Sequence, residues 1–257
     1  MFQGSEPVRW AGTPPTHLAL PSLEAAGVRH AFTTRHHGRI DAVSAAAGPF
    51  GAGPPGPALA ALGIPPSAIR YARQVHGDDC LDADVGPAGL VGTADALLTR
   101  LRGRPLAVFT ADCVPVVVAD PAAPALGVAH AGWRGTVRGV AARLVHALVE
   151  RAGARPERLR AALGPSIGPC CYEVDAPVVD PLRAAFPDAW RRWARPGAPG
   201  RWWFDLWAAN AAQLAAAGVP ATAILVPRLC TACRGDLFHS YRREKGLVGR
   251  LATIAVL

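Results

Sequence analysis

No apolar run in this chain approaches the roughly 20 residues needed to cross a bilayer. Its first ten residues, MFQGSEPVRW, also lack the apolar stretch of a secretory signal. The expectation is a cytoplasmic protein with no membrane partner. Methionine occurs once, at Met1, and no two of the eight histidines are spaced as His-x-His. A blue-copper centre draws on an axial methionine, so these absences weigh against copper and against a multicopper oxidase. Lysine also occurs once, at Lys245. The six cysteines are few for 257 residues. With no export signal they are expected to stay reduced, which leaves thiol chemistry or metal binding open.

What is present is core material and arginine. Hydrophobic residues make up 51% of the chain, enough to exclude global disorder. The length fits one large α/β domain spanning 1–257. The net charge of +8 invites a nucleic-acid reading, but the cations are almost all arginines scattered from Arg9 to Arg250. Dispersed charge of this kind is a solvated surface rather than a docking stripe. No nucleic-acid partner is expected, while small anionic substrates are compatible with it.

The segment 42–66 is crowded with glycine and proline and reads as a long irregular connection with one short helix. Beyond it, PLAVFTA (105–111), VPVVVAD (114–120) and ALGVAHA (125–131) are valine-rich runs bounded by turn residues, as buried strands are. They are expected to be neighbours in one sheet. Val137, Val140, Ala141, Leu144, Val145, Leu148 and Val149 recur at helical spacing, with Gly153 as the stop. RLRAALG (158–164), ATAILVP (221–227) and LATIAVL (251–257) read as further strands, and 205–218 as a second capped helix. Alternation of this kind predicts a layered α/β domain.

Cys113 follows one apolar run and His130 lies near the end of another, where strands give way to loops and α/β sheets bind ligands. His76 lies in the polar turn RQVHGDD ahead of Asp78 and Asp79. Two histidines and a cysteine match a catalytic zinc site with an open fourth position. The separations of 37 and 17 residues fix nothing locally, and a cysteine among valines is commonly a small buried hydrophobe. The same residues also suit a Cys113 nucleophile with His130 as base and Asp112 or another acid orienting the ring.

Taken together, QVHG (74–77), TADALLT (93–99), ADCVP (111–115), AHAGWRGT (129–136), GPSIGPCCYEV (164–174), the helix 205–214 and FHSYRRE with its later GR (238–250) resemble the laccase-domain, or YfiH-like, family. The likeness runs over roughly 28–257. It implies a three-layer α/β/α domain with a mixed sheet, and zinc held by His76, Cys113 and His130. It further implies phosphorolysis of adenosine, inosine, guanosine and methylthioadenosine, with adenosine deamination also known among members. Such a protein takes purine nucleosides and phosphate as its partners and is expected to be a monomer or homodimer.

Cleaving an N-glycosidic bond requires a held phosphate on one side and a stabilised base on the other. Arg35, Arg134, Arg242 and Arg243 are the phosphate candidates, since a guanidinium fork grips anion oxygens in pairs. For deamination, zinc would lower the pKa of a bound water toward about 7, with Asp112 or Asp95 moving the proton. Where members of the family carry a Gly-Gly-Val-Ser turn and a Ser-Leu-Asn-Leu segment, this chain reads RHHGRIDAVSAAAGPFGAGP. Substrate recognition at that edge is expected to differ.

The rival readings are an amidohydrolase editing cell-wall precursors, a copper polyphenol oxidase, and an inactive metal-bound interaction module. Cys170, Cys171, Cys230 and Cys233 read mainly as packing and turn residues, with a structural zinc as the minor alternative. His36, His37, His146 and His239 read as surface or loop residues. Trp190, Trp193, Trp202, Trp203 and Trp207 read as packing.

Overall fold

The computed structural model describes residues 7–38, 40, 48–50, 55–246 and 249–257. The displaced segment around Val43 and Ser44 lies outside them, as does much of the irregular stretch 42–66. Within that stretch the expected short helix is present at Pro57–Leu62.

Among the described residues two large mixed sheets carry the fold. The first has seven strands in the order Arg9–Ala11, His17–Ala19, Arg29–Thr33, Leu251–Val256, Leu106–Thr110, Arg70–Arg73, Gly89–Thr93. The second has six, in the order Ile224–Leu225, Arg160–Leu163, Val114–Asp120, Ala125–Ala131, Ala96–Thr99, Cys80–Asp82. Most neighbours are antiparallel, and Arg70–Arg73, Cys80–Asp82 and Ile224–Leu225 pair in parallel. A small sheet of Glu173–Val174, Trp202–Phe204 and Ala194–Pro196 sits apart.

Side-chain alternation explains how these sheets stack, because successive residues of a strand face opposite sides. From Val114–Asp120, Val114, Val116 and Val118 point to one core, while Val117 and Ala119 point to another. The first core holds the helices Val140–Ala152 and Leu206–Ala216. The second lies between the two sheets, where Val117, Leu126 and Val128 meet Phe32, Val108 and Leu251. The outer face of the seven-stranded sheet packs Phe109 and Ile254 against Leu59 of the helix Pro57–Leu62. The result is α/β/α layering in which the middle layer is a pair of facing sheets.

Burial on both faces is why these strands read as unbroken apolar runs, and it also corrects one expectation. Leu106–Thr110 belongs to the seven-stranded sheet, whereas Val114–Asp120 and Ala125–Ala131 belong to the other. The link 111–113 is where the chain crosses between them. The expected helix is also divided. Val137 belongs to a separate helix, Trp133–Arg138, and Gly139, at φ 83°, turns the chain before Val140–Ala152 begins. Gly153 caps that helix in the left-handed conformation, as anticipated.

Candidate metal centre and cavity

The crossing at 111–113 places Cys113 at the mouth of the seam between the sheets. His130 lies opposite Pro115 in the antiparallel register, with the same parity as Leu126 and Val128, so it looks into the same seam. His76 arrives from the turn after Arg70–Arg73, held in the left-handed region at φ 61°. The ligand atoms of His76, Cys113 and His130 lie within 4.8 Å of one another. Cys113 Sγ is 4.0 Å from His76 Nε2, and the two imidazole rings meet edge to face at 4.8 Å between centroids.

Buried Asp95 organises this trio. One of its carboxylate oxygens bonds His130 Nδ1 at 2.7 Å. Its oxygens also accept the backbone N–H groups of Val75, His76 and Gly77 at 3.0, 3.0 and 2.6 Å. The turn carrying His76 is thus folded around an anion, and the His130 ring is fixed with Nε2 left for the site. Gln74 ties the same turn to the neighbouring strand, exchanging two bonds with the Phe109 backbone at 2.7 and 2.8 Å. The acid that orients the imidazole is therefore Asp95 and not Asp112. Asp112, at φ 91°, is held elsewhere on the cavity wall: it accepts from the Thr231 hydroxyl at 2.6 Å and the Arg242 backbone N–H at 2.7 Å.

The electrostatics suit a cation. Burial pushes the Cys113 thiol up, but the adjoining His130 outweighs it and brings the pKa down to about 6. Burial likewise disfavours charge on His130, yet the Cys113 thiolate and Asp95 raise it to about 9. At neutral pH the pair is a thiolate beside an imidazolium, a proton standing where a metal would bind. Zinc fits these residues. Bonds of about 2.0–2.3 Å set neighbouring donors about 3.4–3.6 Å apart, which modest side-chain rotation achieves. Gly132 leaves the space: a Cβ there would stand 2.9 Å from both Cys113 Sγ and His76 Cδ2.

Around this trio opens a cavity of about 600 Å³, lined also by Arg73, Phe109, Asp112, Trp133, Arg134, Tyr172, Tyr241, Arg242 and Arg250. Arg134 stacks over Trp133 at 4.3 Å, and Arg242 lies over Tyr172 at 5.1 Å. Burial raises the Tyr172 phenol well above its ordinary range, so its hydroxyl stays a donor.

Two of the four expected phosphate arginines do not line the cavity. Arg35 gives its guanidinium to the Gly235 carbonyl and lies 3.7 Å from Glu244. Arg243 bonds the carbonyls of Thr231, Ala232 and Phe238 and the Glu244 carboxylate. Both brace the loop that presents Tyr241 and Arg242. Arg73 and Arg250, which line the cavity, were not singled out from the sequence, although each lies in or beside a quoted block. Among the histidines, His37 is buried rather than exposed, accepting the Ala58 N–H at the start of Pro57–Leu62. The five tryptophans at 190, 193, 202, 203 and 207 do not line the cavity.

Comparison with known proteins adds a family to this geometry. Residues 57–257 match the family described as multi-copper polyphenol oxidoreductase laccase. The chain belongs to this family. It is 42% identical over 187 residues to the purine nucleoside phosphorylase YlmD of Geobacillus stearothermophilus, covering 70% of this chain and 68% of that protein. It is 45% identical over 191 residues to adenosine deaminase RL5 of an unknown prokaryotic organism, covering 71% and 72%. The structure of the hypothetical protein YfiH of Bacillus licheniformis superposes with a TM-score of 0.85 at 29% identity, covering 98% and 99% of the two chains. No described helix is long and apolar enough to cross a membrane.

Proposed function

We propose that this family member is a zinc-dependent purine nucleoside phosphorylase. In this reading it converts adenosine, inosine, guanosine or methylthioadenosine and phosphate into the free base and the corresponding pentose 1-phosphate. His76, Cys113 and His130 are the metal ligands, and all 257 residues form one domain. The one-domain reading draws support from Leu251–Val256, which pairs with both Arg29–Thr33 and Leu106–Thr110. The observation that carries the function is a cavity in which the His-Cys-His floor is ringed by four arginines and four aromatic rings. The phosphorylase name borne by the Geobacillus relative agrees with it.

In phosphorolysis a phosphate oxygen joins C1′ of the sugar as the bond from C1′ to the purine nitrogen breaks. Positive charge grows on the sugar and negative charge on the base, and preorganised donors must meet both. Arg134 and Arg242 are assigned to the phosphate, with Arg73 and Arg250 completing the positive rim. Arg242 is set in place by its own N–H on Asp112 and by its Nη1 on the Glu173 carbonyl at 2.7 Å. The rest of its fork remains for an anion. Tyr172, kept protonated, can donate to the departing base, and the Phe109 and Trp133 rings keep water from the reacting carbon. When bound, zinc supplies Lewis acidity at the cavity floor.

Deamination of adenosine at the same floor is the second reaction, favoured by the likeness to adenosine deaminase RL5. Asp112, which also lines the cavity, is its proton-carrying candidate. Copper oxidation is not favoured. A multicopper oxidase needs several copper centres and many imidazoles, whereas the described residues bring only two histidines to one cysteine here, the chain has no His-x-His pair, and its one methionine is Met1.

The test is chromatography of zinc-loaded protein with adenosine, inosine and methylthioadenosine, with and without phosphate, beside His76→Ala. Base release that needs phosphate and disappears in the variant is expected. Inosine formed from adenosine without phosphate would establish the deaminase reaction instead. No product under any condition would overturn nucleoside turnover.

A further inference from the structure

Of the six cysteines only Cys113 lines the cavity, and four of the others converge from distant parts of the chain. Cys170 and Cys171 close the turn after the strand Arg160–Leu163, and Cys230 and Cys233 come from the loop after Ile224–Leu225. Their four sulfurs lie within 4.8 Å of one another. Cys233 Sγ stands 3.5 Å from that of Cys170 and 3.4 Å from that of Cys171. A disulfide would hold two sulfurs at about 2.05 Å, and all four are free thiols.

We propose that Cys170, Cys171, Cys230 and Cys233 form a second metal site, binding one zinc ion through four thiolates. Three observations converge on it. A tetrahedral ion with metal–sulfur bonds of about 2.3 Å spaces its ligands about 3.8 Å apart, close to the contacts seen. An iron–sulfur cluster distributes its thiolates over several irons, which needs a wider set than this one. Cys170 and Cys233 are exposed, so burial of apolar surface gives them no reason to meet. Finally, the Gly168 N–H points at Cys230 Sγ at 3.3 Å, and the Cys233 N–H is directed at the same sulfur. Amide donors of this kind fix and stabilise a metal-bound thiolate.

The site would tie down the far wall of the cavity. Tyr172, which follows Cys171, lines that cavity, and Thr231, which follows Cys230, holds Asp112. Soft thiolates select zinc over harder ions, and a closed four-ligand set leaves no position for substrate. Its role is therefore structural, and it stands independently of the proposed function.

Elemental analysis of full-length protein, purified under reductant and dialysed against metal-free buffer, tests this directly. About two zinc ions per chain are expected, with about one retained in His76→Ala and about one in Cys233→Ser. Cobalt-loaded His76→Ala is expected to show strong thiolate-to-cobalt charge-transfer absorption. One zinc in both wild type and His76→Ala would still support the cysteine site while counting against zinc in the cavity. Zinc absent from His76→Ala, or iron found in place of zinc, would overturn the assignment. So would a disulfide among these cysteines mapped by mass spectrometry in the reductant-purified protein. Should Cys233→Ser fail to fold, the comparison of wild type with His76→Ala still decides.

Discussion

Asp95 organises the candidate metal centre, because one carboxylate holds both the His130 ring and the turn that presents His76. Asp95→Asn keeps the shape but loses an anion facing three N–H donors and an imidazole. Partners of this kind are worth about 10–100-fold in metal affinity, and competition titration with a chromophoric chelator should register a loss in that range. Unchanged affinity would show that the ligands orient themselves. Arg242 and Arg243 separate function from support in adjacent residues. Arg242→Ala is expected to raise the KM for phosphate at least about tenfold, the worth of a charge-assisted contact, with little change in Tm. Arg243→Ala, which strips three carbonyls and Glu244 of their donor, is expected to lower Tm. Steady-state kinetics and calorimetry on both variants check the pair.

That His76, Cys113 and His130 come together was only partly legible: each lies at the end of an apolar run or in a polar turn, but their wide spacing fixed nothing, and it was the family resemblance that grouped them. The role of Asp95 was less visible, since it depends on which strand lies beside Ala125–Ala131. Asp112 attracted attention as the neighbour of Cys113, but at φ 91° its carboxylate is taken up by the Thr231 hydroxyl and the Arg242 backbone N–H.

At the scale of elements, the valine-rich strands Val114–Asp120 and Ala125–Ala131 have the limits the sequence indicated, since turn residues bound them sharply. They pair as expected, but that Leu106–Thr110 joins the other sheet was not legible. A strand buried on both faces carries no mark of which sheet it joins, and the crossing at 111–113 is too short to announce itself. The helix break at Gly139 was likewise concealed, because the apolar spacing continues across it.

The helix Pro57–Leu62 shows how a buried histidine can start an element. Burial of His37 holds its pKa near about 4, below the ordinary value of 6.5, and its ring accepts the Ala58 N–H. An unfolded chain takes up this proton near pH 6.5, while the folded one resists it until about pH 4. Stability should therefore fall as pH drops through that window and level off below it. At roughly 1.4 kcal/mol per pH unit, the loss is at most about 3.5 kcal/mol. Urea denaturation at pH 7 and pH 4.5 should show a smaller pH-dependent loss in His37→Asn than in wild type. Equal losses would place the titration elsewhere.

On the scale of the whole molecule, the site follows from the layering. Two sheets packed face to face bury their shared surface along most of its length, and polar groups can gather only where the chain leaves one sheet for the other. Cys113 sits on that crossing, His130 on the strand Ala125–Ala131, Arg73 at the end of Arg70–Arg73, Arg134 in the helix Trp133–Arg138, and Arg242 and Arg250 on the loop that closes the opening. The central claim is that this opening performs phosphate-dependent cleavage of a nucleoside, and the identity of the sugar product decides it. Phosphorus NMR of zinc-loaded protein with inosine and phosphate is expected to show ribose 1-phosphate rising in step with hypoxanthine. Hypoxanthine released with free ribose and an unchanged phosphate signal would contradict phosphorolysis.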